Sequence, residues 1–159
     1  MTTKEIPVTI VPVSLLAVAA RSADTNAILD TLGYRHNLKE CNAASMVWNI
    51  QAFTSGSHNA TLLESDTYGG PFTNVDPLFY QWYLNGRPIA APVISALSAP
   101  EQLICSYHAG LKRYIQLLVH PVTAGSLTYG IDGLLGLTET QVRVLTNYPN
   151  DFSDVAWPI

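Results

Sequence analysis

Residues Leu78–Ile89 read LFYQWYLNGRPI. Phe79, Gln81 and Tyr83 alternate with Tyr80, Trp82 and Leu84, which is the period of a strand with two unlike faces. Asn85-Gly86 then supplies a turn. A type I′ turn needs positive φ at both central residues, which Asn and Gly accept at least cost, and its twist matches the flanking strands. Arg87-Pro88-Ile89 predicts the returning strand, with the proline where no ladder hydrogen bond is donated. A tryptophan placed in this way is expected to be a core anchor of a two-sheet protein, and Trp82 takes that role.

The rest of the chain sets the bounds. Its 159 residues suffice for one ordinary core. A hydrophobic fraction of 48% against 13% charged residues is the opposite of a disordered composition, and it implies apolar surface that a partner covers. The formal net charge is -4, and the eight basic residues are scattered, with Lys112-Arg113 the one adjacent pair. Such a chain offers no general attraction to phosphate backbones, so nucleic-acid binding is not expected.

Ile6–Ala20, IPVTIVPVSLLAVAA, has the apolar run and small-residue end of a signal peptide. Pro7 and Pro12 interrupt it, Glu5 stands where basic residues should dominate, and it is shorter than the roughly 20 apolar residues of a membrane span. A strand suits its alternation better, and membrane insertion is not expected. Cys41 and Cys105 make no disulfide framework and read as two buried thiols.

YQWYLNGRPI resembles the C strand, turn and C′ strand of the immunoglobulin-like modules found in bacterial surface proteins and phage virion proteins. In the same reading NATLLES (Asn59–Ser65) is similar to a B strand, YGGPFTNVDP to a B–C loop, and QLICSYHAGLKRYIQLLVHP (Gln102–Pro121) to an F strand, an Ala-Gly turn and a long G strand. The resemblance covers about Ala44–Pro121. It departs from the antibody branch in that Cys105 sits on the F-like strand while the B-like strand carries Leu62 and Leu63, so no central disulfide is implied. Hydrophobic packing must then hold the sandwich, and Val47, Ile50, Leu62, Trp82, Leu84, Ile104, Tyr107, Ile115 and Leu117 are the expected core.

Two flanking helices are predicted. SADTNAILDTLGY (Ser22–Tyr34) offers Ser22 or Asp24 as N-cap, an apolar stripe of Ile28, Leu29 and Leu32, and Gly33 as a stop. LTETQVRVLTNY repeats the logic with Thr138 and Gln141 spaced as a capping box. The expected fold is therefore mainly β, an immunoglobulin-like sandwich over residues 44–121 with a strand-and-helix extension at 1–43 and a helix and tail at 122–159. The apolar ends, VTIVPVSLLAV and DFSDVAWPI, are expected to contact a neighbouring subunit. The candidate contact residues are Val8, Ile10, Val13, Leu15, Phe152, Trp157 and Ile159.

Chemical motifs are sparse. AILDTLG approaches the Asp-Thr-Gly loop of aspartic proteases, with GIDGLLG (Gly130–Gly136) as a second element, but Leu32 occupies the position that must be glycine. Asp30 reads instead as a solvated helix residue. His36, His58, His108 and His120 lack the spacing of a zinc site. Glu64, Asp66 and Asp76 flank a loop and are candidate calcium ligands whose ordinary reading is solvated acid. Asn59-Ala60-Thr61 is a glycosylation sequon only in a eukaryotic secretory setting. No G-x-S-x-G, P-loop or G-x-G-x-x-G motif occurs.

The expectation is a non-enzymatic subunit of a larger assembly, without catalytic residues, cofactor or metal. A phage or virus particle comes first, with a homo-oligomer or other virion proteins as partners. An adhesion module that binds glycan or protein through its loops is the alternative, and a degenerate aspartic protease relative is the third reading.

Overall fold

Trp82 lies on a strand flanked by hydrogen-bonded partners on both sides, and the sheets build outward from it. The computed structural model describes residues 9–31, 43–107 and 112–137. Within them the strands are β1 (Thr9–Arg21), β2 (Thr25–Asp30), β3 (Ala43–Phe53), β4 (Ser57–Ser65), β5 (Thr73–Asn74), β6 (Tyr80–Leu84), β7 (Arg87–Ile89), β8 (Val93–Ile94), β9 (Glu101–Tyr107), β10 (Tyr114–Thr123) and β11 (Leu127–Leu137). Two antiparallel sheets face each other as a sandwich. One has the order β1-β11-β3-β9-β6-β7, and the other β2-β10-β4-β5, with β8 also on β4.

Without the β6–β7 hairpin and β8, eight strands remain. Renumbered in chain order, they run 1-8-3-6 in one sheet and 2-7-4-5 in the other. This is the order of a jelly roll, in which nearly every connection crosses from one sheet to the other. The expected F-like and G-like strands illustrate the difference from an immunoglobulin-like arrangement. They correspond to β9 and β10, which lie in opposite sheets, so β10 pairs with β2 and β4 and not with β9. The strands also extend on both sides of residues 44–121: β1 pairs with β11 of its own chain, from Thr9 opposite Leu137 to Arg21 opposite Leu127.

Over the described part of the helix expected at Ser22–Tyr34, residues 22–31, the chain forms a bend and then a strand; the remaining three positions lie outside the described residues. Ala27 and Leu29 point into the core while Ile28 lies on the other face, a period of two where the apolar spacing had suggested 3.6. Thr25, Asn26 and Ile28 are poor helix formers, and β10 offers a ladder for all six residues from Thr25 to Asp30. Tertiary pairing therefore overrides a marginal local preference. The second expected helix, and Cys41, lie outside the described residues.

Between the sheets Trp48, Ile50, Leu103, Tyr129 and Ile131 meet Leu29, Leu62, Ile115 and Leu117, all at most 1% exposed. Trp48 makes edge contacts with Trp82 and with Tyr129, at 6.3 Å and 6.0 Å between ring centroids. Each such side chain contributes about 1.5–3 kcal/mol of burial. Two expected core residues face outward from the six-stranded sheet. Val47 alternates with Met46 and Trp48, and Ile104 with Leu103 and Cys105; Val47 is nonetheless buried, at 7% exposed, whereas Ile104 is only half-buried.

Both ends of the sandwich follow from the registers. Thr9 opposite Leu137, Gly136 opposite Ala43, Ala44 opposite Tyr107, and Tyr114 opposite Asp30 and Ser65 gather at one end. The other end is an interlock of turns, where Thr54 and Ser55 both donate backbone N–H bonds to the Ser126 carbonyl at 3.1 Å.

Candidate functional site

Of the sequence-derived contact residues, Ile10 is 63% exposed on β1, Val13 is buried, and Leu15 is partly buried against the core. Val8, Phe152, Trp157 and Ile159 lie outside the described residues. Trp82 is 2% exposed in the core and sits directly across from Cys105, a free and fully buried thiol. Burial raises the Cys105 pKa far above the ordinary thiol value, which keeps the thiol protonated at neutral pH.

The candidate carboxylates are separately engaged. Asp30 accepts two hydrogen bonds from the Arg113 guanidinium, at 3.1 and 3.0 Å, so its surroundings are those of an ion pair on a strand and not of a solvated helix residue. That strand, β2, lies in one sheet, whereas Gly130–Gly136 belongs to β11 in the other. Asp76 accepts the Leu78 N–H at 2.9 Å and caps a short 3₁₀ turn, Pro77–Phe79. Glu64 accepts a hydrogen bond from the Tyr107 hydroxyl and thereby ties the two sheets together. Asp66 is exposed. Among the described residues no three or more His, Cys, Asp or Glu side chains converge as a metal site. His58 is 1% exposed with Nε2 at 2.9 Å from the Ser55 carbonyl, and His120 pairs with Asp24 at 2.6 Å; His36 and His108 lie outside the described residues. Among the described residues no helix is long and apolar enough to cross a membrane.

Two surfaces remain as recognition candidates. The first is the end where the strand termini gather. Arg113 lies 4.9 Å over the Tyr114 ring while held by Asp30, and Tyr68 meets the same ring edge-on at 5.6 Å. Tyr68, Leu78 and Phe79 are 67%, 79% and 45% exposed, so this end presents apolar and aromatic groups suited to stacking. The charge of Arg113 is already matched by Asp30.

The second is the outer face of the six-stranded sheet. Pro12, Ser14, Val47, Gln102, Ile104, Asp132 and Leu134 line a shallow depression of about 550 Å³ across β1, β11, β3 and β9. Sequence reading missed this surface because it assigned Val47 and Ile104 to the core. The signal available was their parity: neither can share a face with Trp48 or Cys105 on a regular strand.

No family model matches the chain, and no curated protein matches it. Among solved structures the chain is similar to the SPBc2 prophage-derived protein YomS, with 12% identity, a TM-score of 0.41, and coverage of 86% of this chain and 99% of that one.

Proposed function

We propose that the protein is a non-enzymatic structural subunit of a larger assembly, a phage or virus particle protein made functional by association with further copies or with other virion proteins. The strand order carries this reading. Jelly rolls serve viral shells, lectins and cupins, and fold alone does not choose among them. Here the space between the sheets is filled by Trp48, Trp82, Tyr129 and the aliphatic side chains around them. Such packing of the described residues argues against an interior ligand site of the cupin kind and directs the reading to the outer surfaces. A composition of 48% hydrophobic and 13% charged residues supports burial of part of that surface against neighbours.

Light scattering and negative-stain microscopy of the purified chain test the reading. Rings, shells or a defined oligomer are expected, and a monomer at every concentration would overturn it. A second reading, a surface module that binds glycan or protein, is favoured by the exposed Tyr68 beside Tyr114. It predicts a monomer whose glycan or protein binding is lost on Tyr68→Ala without loss of stability.

A further inference from the structure

We infer that the outer face of the six-stranded sheet is a contact surface between two copies of this chain; the inference rests on the assembly reading above and names the surface that makes it. The registers align Ser14, Asp132, Val47, Ile104, Tyr83 and Pro88 in one outward row across all six strands. In these strands the charged residues are Arg21, Arg87, Glu101 and Asp132. Arg21 is paired with Leu127, Arg87 with Leu84 and Glu101 with Ile50, and so they follow the parity of the core. Asp132 is therefore the one outward charge on the described part of this face. One outward charge over six strands is low even for a chain with 13% charged residues, and gives this face the character of an interface centre, where charged residues are depleted.

Its size fits a second copy. Roughly 50 residues in six strands, with ~3.3 Å rise and ~4.8 Å spacing, present about 800 Å², and a stable interface buries about 800 Å² per partner. Ile104, half-buried at the middle of the row, is the apolar anchor of the face, with Val47 beside it already buried at 7% exposed. A phosphate backbone is a poor occupant, because the face carries a carboxylate and no cation.

The test compares the full-length chain with Gln102→Glu and Ile104→Lys by light scattering and sedimentation. Gln102 is exposed, so the glutamate leaves the fold intact and adds a second negative charge to the depression of each copy; circular dichroism and melting temperature verify this. Association of the wild type should weaken about tenfold or more in both variants. Association that survives both substitutions overturns the assignment of this face while leaving the assembly reading intact. If it survives both but is lost on deletion of residues 138–159, the contact belongs to that segment and the inference fails. A wild-type chain that never associates overturns the assembly reading itself.

Discussion

Trp48 and Trp82 meet edge-to-face at 6.3 Å, although they lie on strands that are not neighbours: β9 runs between β3 and β6. Both rings reach across β9 on the inner face of the same sheet. Trp82→Ala should cost about 3–5 kcal/mol in chemical denaturation, as aromatic deletions in cores do. Trp48→Ala should cost a similar amount, and the double variant should lose less than the sum because the two rings share a contact. Strict additivity would show that the rings do not support each other.

The turn interlock predicts an unequal response of two glycines. A Cβ on Gly125 would strike the backbone of Ser55 and Gly56, so Gly125→Ala must push apart the β3–β4 and β10–β11 turns. Gly86 has φ of +77° but open space around it, so Gly86→Ala should cost only the backbone term, about 1 kcal/mol. Thermal melts should rank Gly125→Ala well below Gly86→Ala; equal melting temperatures would remove the interlock as a source of stability.

Asn26 distinguishes a strand from a helix at β2. It is exposed and lies beside Leu118 on the outer face, where a β-branched residue packs against its cross-strand neighbour. Asn26→Val should leave stability unchanged or raise it by up to about 1 kcal/mol. A clear loss in urea denaturation would contradict the strand.

Alkaline pH should unfold the protein progressively. Burial raises the pKa of Tyr80, Tyr107 and Tyr129 above the ordinary tyrosine value, and at Tyr107 the hydrogen bond to Glu64 adds to it. Burial likewise raises Cys105. Each group then holds its proton longer in the folded state than in the unfolded one, so stability is intact below the unfolded pKa and falls as pH rises through and above it. For tyrosine that fall starts near pH 10. Tyr107→Phe should cost about 1–3 kcal/mol at neutral pH, because Glu64 loses its donor, and should make the alkaline decline shallower. An unchanged slope from pH 9 to 11 would exclude Tyr107 as a contributor.

The local grammar of the chain determined several features directly. Alternation in FYQWYL and the Asn85-Gly86 pair specify β6, the turn and β7, and the turn has φ of +52° and +77°. These are short-range properties, in which side-chain parity and φ preference act within a few residues. The mainly β character and a two-sheet sandwich follow from many such segments. Tertiary structure decided which strands pair, because backbone hydrogen bonds carry no side-chain label: β10 fits a neighbour in either sheet, and only the joint burial of Ile115, Leu117 and Leu29 selects β2 and β4. It also decided the state of Thr25–Asp30, where six ladder positions outweigh a helical spacing of three apolar residues. The outer face of the six-stranded sheet needed both levels. Its lack of charge is written in the sequence, yet those residues are scattered from Ser14 to Asp132 and become one surface only when the registers align them.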